Sequence, residues 1–133
     1  RDLPLQDAYI QHGDFRPPSA RAAAERLLAL KNRPTAIFAA SDDMAIEVVN
    51  VALAKGVRVP EGLSVVGFDD NPIAAHGRVP LTTVRQPLSE MGRTGLELLR
   101  QHMHGKKQSP NKLLLPTQLV ERQSCRQTWL EPH

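Results

Sequence analysis

Apolar positions along the chain follow two periods. Three short continuous runs, Ala8-Tyr9-Ile10, Ala36-Ile37-Phe38-Ala39-Ala40 and Ser64-Val65-Val66-Gly67-Phe68, each end in a polar, acid-bearing turn and lead towards a helical pattern. The turns are Gly13-Asp14-Phe15, Ser41-Asp42-Asp43 and Asp69-Asp70, so about 27 residues separate one run end from the next, roughly the length of a βα unit. Runs rich in β-branched and aromatic residues, without alternation, are what strands covered on both faces require. The pattern predicts an α/β fold: a mostly parallel sheet with flanking helices.

Between the runs the period changes to that of helices. A first helix is expected from Ser19 as N-cap, with Ala20, Ala23, Ala24, Leu27 and Leu28 on one face, stopped by Asn32, Arg33 and Pro34. A second starts on Ser41 or Asp42, buries Ala45, Val48, Val49 and Ala52, and ends at Lys55-Gly56, a cation in the last turn followed by a residue suited to a left-handed C-terminal turn. Residues 71 to 80, interrupted by Pro72, Gly77 and Pro80, are expected to form a loop with at most one helical turn. Leu81 to Gln86 is β-rich and reads as a fourth strand or an extended connection, closed by Pro87. A third helix over Leu88 to His104 carries Leu88, Met91, Gly92, Gly95, Leu99 and Met103 on one stripe; its two glycines point to the close approach of another backbone. Lys112 to Leu115 and Gln118 to Glu121 read as short terminal strands around Pro116, and the tail after Arg122 shows no pattern.

The chain has 133 residues, enough for one domain, and a formal net charge of +3 spread along its length, so charge alone does not point to nucleic acid. A lone cysteine, Cys125, excludes a disulfide framework and a Cys-cluster zinc site and favours a reducing compartment, the cytoplasm. No apolar run approaches the roughly 18 residues that span a bilayer, and Arg1-Asp2-Leu3-Pro4 lacks the basic-then-apolar order of a signal peptide. The expectation is no membrane partner. The chain does not start with Met and reads as an excised piece of something longer.

In open parallel sheets ligands sit beyond the carboxyl ends of the strands. There the three runs deliver Asp14 and Phe15, then Ser41, Asp42 and Asp43, then Asp69 and Asp70. Such an acidic rim repels phosphate and carboxylate. With an aromatic face beside it, it suits a neutral polyhydroxylated ligand, a sugar or a nucleoside-like molecule. Each residue also has a structural reading: Ser41 or Asp42 as helix cap, Asp43 as a favourable charge in a first turn, Asp69 as a turn residue, Phe15 as core. Catalysis finds little support, because there is no Gly-rich phosphate loop and no Gly-x-Ser-x-Gly elbow. His102 and His104 lie two apart on a helix and cannot share a metal. The acid pairs Asp42-Asp43 and Asp69-Asp70 leave open a Mg-dependent phosphoacceptor domain, although such a domain wants its acid pair after the first strand and a Lys after a later one.

The run Arg33 to Ala45 (Arg-Pro-Thr-Ala-Ile-Phe-Ala-Ala-Ser-Asp-Asp-Met-Ala), followed by Gly56 to Asp70 (Gly-Val-Arg-Val-Pro-Glu-Gly-Leu-Ser-Val-Val-Gly-Phe-Asp-Asp) and Pro80 to Pro87 (Pro-Leu-Thr-Thr-Val-Arg-Gln-Pro), closely resembles the effector-binding domain of LacI-type bacterial transcriptional regulators. Gly13-Asp14-Phe15 and Leu115 to Ser124 fit the same family, so the resemblance spans about residues 5 to 125. It implies a type I periplasmic-binding-protein-like fold of two hinged lobes with a small molecule between them. Residues 1–133 then form a partial effector-binding domain, mainly the C-terminal lobe. Residues of about 88–105 resemble the segment that returns to the N-terminal lobe. The DNA-binding headpiece, nearly all of the N-terminal lobe and the opening βα unit of the present lobe lie outside the sequence. By the same resemblance Phe15 packs against the effector, Ser41 stands where the family usually has an Asn, Asp69 bonds the effector and Gln86 lies beside it at the crossing segment. The implied partners are a sugar, related polyol or nucleoside-like effector, a second copy in a homodimer, and operator DNA reached only through the headpiece. No cofactor and no enzymatic activity are implied. An exported sugar-binding receptor of a transport system has the same fold and is the alternative.

Overall fold

The computed structural model describes residues 6–104 and 112–127. Four strands, β1 (Ala36–Phe38), β2 (Ser64–Asp69), β3 (Thr82–Arg85) and β4 (Gln118–Val120), form one sheet in the order β1-β2-β3-β4. The first three are parallel, with Phe38 opposite Val66 and Val66 opposite Thr82, and β4 runs antiparallel to β3, Val84 opposite Leu119. Helices α1 (Pro17–Ala29), α2 (Asp42–Ala54), the single turn α3 (Ile73–His76) and α4 (Leu88–Met103) complete the fold. α1 packs on α2 and α2 on β2, and the core is built from Ala24, Ala45, Val48, Val49, Ala52, Leu63, Val65 and Leu81. The many alanines let the two helices and the sheet approach closely, where dispersion contacts accumulate.

Most expected elements form where the pattern places them, and the differences have local causes. α1 starts at Pro17, before Ser19, because two prolines occupy its first turn, where the missing N–H has no intrahelical partner in any case. Residues 112 to 117 take no regular structure, so only the second of the two expected terminal strands forms. Nothing among the described residues comes within 4 Å of a Cβ built on Gly92 or Gly95, so the described residues do not supply the expected close backbone contact. α4 buries none of its residues, and Leu88, Leu96, Leu99 and Met103 are exposed. The described residues cover only one sheet face: Val65 and Gly67 are buried towards α2, whereas Val66 and Phe68 on the other face are half-buried, Phe68 meeting the exposed Phe38 edge to face at 6.4 Å.

The first apolar run is not a strand. Asp7–Tyr9 form a 3-10 turn, closed by bonds from the Tyr9 and Ile10 amides to the Gln6 and Asp7 carbonyls. The segment is tied to the α1 side, the Tyr9 hydroxyl donating to the Asn32 carbonyl (2.8 Å) and the Arg26 guanidinium to the Gln11 side chain (2.7 Å). A largely apolar cavity of about 620 Å³, bounded by Ile10, Phe15, Ala24, Phe38 and Met44, lies between this run and β1. The Ala39 amide bonds to Val66 and the Thr35 carbonyl accepts from Ser64. Strand alternation therefore turns the N–H and C=O of Phe38 towards the cavity, an edge with no strand on it among the described residues.

Candidate functional site

The helix α2 opens on Ser41, whose extended backbone and hydroxyl, accepting from the Met44 amide at 3.3 Å, make it the N-cap. This satisfies one of the unpaired amides of the first turn and leaves Ser41 only 6% exposed. The next residue, Asp42, is completely buried. Its Oδ1 accepts from the Thr83 hydroxyl on β3 (2.5 Å) and its Oδ2 from the Asn71 amide after β2 (2.8 Å). Gly67 makes room for it: a Cβ there would collide with the Asp42 carboxylate and lie 2.7 Å from Leu81. Burial raises the Asp42 pKa above the ordinary carboxylate value; the two hydrogen bonds oppose this and the negative charges of Asp69 and Asp70 add to it.

β2 ends in two non-glycine residues with positive φ, Asp69 at 111° and Asp70 at 55°. Such conformations cost of order 1–3 kcal/mol each and persist where the surroundings over-determine them. Four contacts do so here. Asp69 Oδ1 accepts from Gln86 Nε2 at 2.6 Å, and the Asp42 carboxylate holds the amide two residues on. The Asp70 carboxylate accepts from Arg85 Nε and from Arg122 Nη2, both at 2.6 Å, and Arg122 Nη1 also donates to the Leu81 carbonyl at 2.8 Å. Burial pushes the Asp70 carboxyl up, but the bonds and charges of Arg122 and Arg85 outweigh it and hold it below its usual range.

The third turn precedes α1. Asp14 accepts from the Ser19 hydroxyl and from the Arg16 amide (3.0 Å), and these bonds, the Ser19 one foremost, lower its pKa. Gly13 faces the tip of Met44 in the first turn of α2. Phe15 has φ 63° and stands 65% exposed, so the core reading of this residue does not hold. Of the four candidates Phe15 lines the cavity beside β1, Asp69 and Gln86 bond each other, and Ser41 caps α2 next to the residue that grips the Asp69 turn. The expected crowd of acids at the rim is thinned by two: Asp42 faces inward and Asp70 is neutralised by two arginines, while Asp14 bonds locally to Ser19 and Arg16 and stays exposed. Among the described residues no three His, Cys, Asp or Glu side chains assemble as metal ligands, and no helix is long and apolar enough to cross a membrane.

Sequence reasoning missed Thr83, Asn71, Arg122 and Ser124. Ser124, in the tail that showed no pattern, is fully buried; its hydroxyl accepts from the Thr82 amide (2.8 Å) and donates to the Val65 carbonyl (2.5 Å), stitching the tail to β2 and β3. These partners lie some 40 to 60 residues apart in sequence, and no local period signals such pairings.

The comparisons agree with this architecture. A family model described as periplasmic binding protein-like domain matches residues 2–125. The HTH-type transcriptional repressor PurR of Yersinia pestis (strain Pestoides F) is 35% identical over 123 residues, 92% of this chain; the chain spans 36% of that relative's length. Among solved structures, the complex of the transcriptional regulator CelR with cellobiose has 38% identity and a TM-score of 0.86, covering 92% of this chain and 37% of that one. A regulatory protein of LacI family from Chloroflexus aggregans has 36% identity and a TM-score of 0.83, covering 93% and 45%.

Proposed function

The chain belongs to the periplasmic binding protein-like domain family, in the form carried by LacI-type transcriptional regulators, and from this we propose that it is most of one lobe of such a regulator's effector-binding and dimerisation region. Its ligand is an uncharged, hydroxyl-rich small molecule, a sugar or related polyol. The observation that carries this is the Asp69–Gln86 pair at the carboxyl ends of β2 and β3. It presents a carboxylate that accepts hydrogen bonds from hydroxyls and an amide that donates them, beside an edge where Asp42 is buried and Asp70 is paired with two arginines. That CelR was solved with cellobiose fits this class of ligand. Phe15 supplies the apolar face for a ring, and Ser41 a short hydroxyl whose oxygen also caps α2.

The exposed apolar stripe of α4 and the bare sheet face fit a lobe that meets further protein, either its companion lobe or a second copy in a homodimer. Effector binding then favours one arrangement of the lobes, and a headpiece outside these 133 residues carries the change to operator DNA in the cytoplasm. The matched relatives are transcriptional regulators, which favours this over an exported receptor and over an enzyme. A thermal-shift screen of the longer protein that carries this lobe, against neutral sugars, polyols, purines and sugar phosphates, tests the reading. A neutral sugar or polyol is expected to raise the melting temperature, and Asp69→Ala to abolish the shift. A response confined to sugar phosphates, or one untouched by Asp69→Ala, overturns it.

A further inference from the structure

The buried Asp42 is a conspicuous expense of a carboxylate that touches no solvent. A helix N-terminus accounts for an acid at this position but not for its direction, since Ser41 already caps α2 and the Asp42 side chain turns away from the helix. It crosses over Gly67, bonds β3 through Thr83 and ends on the Asn71 amide, directly after the two left-handed residues Asp69 and Asp70. Both oxygens are used, and both partners lie on elements other than its own.

We propose that Asp42 is a positioning residue for ligand binding: its buried carboxylate pins the turn from Asp69 to Asn71 against β3, and so sets the direction in which Asp69 meets Gln86 and a ligand. The proposal rests on the reading of Asp69 as a ligand contact. The geometry makes the arrangement a three-point mount. Asp42 holds the turn from beneath, Arg85 and Arg122 hold Asp70 from the β3 and β4 side, and Gln86 meets Asp69 from the strand end. Release of the Asn71 amide frees the side of the turn on which Asp69 depends for its unusual φ. Thr83 acts through Asp42 in the same way, because its hydroxyl fixes the carboxylate plane.

NMR on the 133-residue chain, without ligand, tests this. The signals are the Asn71 amide exchange rate and the shift of the Gln86 side-chain amide protons, compared in Asp42→Ala, Asp42→Asn, Thr83→Val, Thr83→Ser and Val48→Ala, the last a core control destabilised without touching the mount. Asp42→Ala and Thr83→Val are expected to speed Asn71 exchange about tenfold relative to Val48→Ala at matched global stability, the factor that one lost charge-assisted hydrogen bond represents. They are also expected to move the Gln86 signal towards its free position. Thr83→Ser keeps the hydroxyl, and Asp42→Asn keeps an oxygen for the Asn71 amide, so both are expected to hold the two signals near wild type. Should the alanine variant not fold, Thr83→Val against Thr83→Ser decides alone. Equal signals in Thr83→Val and Val48→Ala overturn the proposal and leave Asp42 a purely structural residue. The thermal-shift screen of the longer protein separates this from the functional reading: a mount that behaves as expected in this chain while no sugar or polyol stabilises the longer protein counts against the ligand assignment only.

Discussion

Replacing Arg122 is expected to be far more damaging than replacing Arg85, although both contact the same carboxylate at the same distance. Asp70 is only 5% exposed at its side chain, Arg122 19% and Arg85 52%. A hydrogen bond to a charged group is worth about 1.5–3 kcal/mol when shielded, and an exposed ion pair about 0.2–1 kcal/mol. Arg122→Ala removes the shielded bond to Asp70 and the bond to the Leu81 carbonyl, while Arg85 still neutralises the acid. The expected cost is therefore about 2–3 kcal/mol, below the 3–5 kcal/mol of a buried charge left wholly unpaired. Arg85→Ala is expected to cost no more than about 1 kcal/mol. Urea denaturation followed by circular dichroism measures both. The pH dependence carries a sign of its own. The folded Asp70 carboxyl sits below its unfolded value, so the contribution of the cluster is complete above a pH of about 3.9 and fades as pH falls through the lower folded value. The gap between wild type and Arg122→Ala is thus expected to persist at pH 5 and to close only in stronger acid. Equal losses in the two variants, or a gap that closes already between pH 6 and pH 5, would refute the reasoning.

Gly67→Ala forces a methyl into the Asp42 carboxylate and Leu81, and is expected to lower stability by about 2 kcal/mol or more in the same urea experiment. Asp42→Asn is expected to steepen the acid limb, the opposite of the flattening expected for Arg122→Ala. Because burial raises the folded Asp42 pKa, protonation stabilises the wild-type fold as pH falls through that raised value, an effect the amide lacks, so wild type gains on Asp42→Asn as pH drops from neutral towards 4. Phe38 stands 63% exposed on the edge of β1 that no described strand pairs, the kind of apolar edge that invites association. Phe38→Lys is expected to reduce concentration-dependent association of this chain in sedimentation velocity, with stability changed by no more than about 0.5 kcal/mol.

The elements that the sequence pattern locates well are those whose burial depends on near neighbours. The apolar face of α2, its Ser41 cap and its end at Gly56 follow from spacing within one helix, and β2 from a run of β-branched residues, so both stand where expected. Ala8-Tyr9-Ile10 has the same run-like composition as β1 and fails as a strand, because a strand also needs a partner at pairing distance, which a run by itself does not reveal. The candidate site divides along the same line. Asp69 and Gln86 are legible as residues at strand ends, whereas the direction of Asp42, the two arginines on Asp70 and the tail at Ser124 arise from contacts some 15 to 60 residues apart. Counting the acids at the rim therefore overstates its charge: two of the five, Asp42 and Asp70, are buried or neutralised.

The residues of the candidate site also stand where, on the reading proposed above, the chain leaves the lobe. Gln86 bonds Asp69 and is followed at once by Pro87 and α4, while Arg85 and Arg122 bind Asp70 from β3 and β4, the strands that flank that exit. A ligand hydroxyl that donates to Asp69 competes with the Gln86 amide for the carboxylate, or joins it, and in either case alters the restraint on the residue just before α4. A difference of one charge-assisted hydrogen bond between two settings of this exit amounts to about 1.5–3 kcal/mol, as large as the coupling of about 1–3 kcal/mol typical between allosteric sites. On that reading no long relay through the core is needed to carry occupancy of the Asp69 site to the start of α4, because the two are adjacent links of one hydrogen-bonded chain.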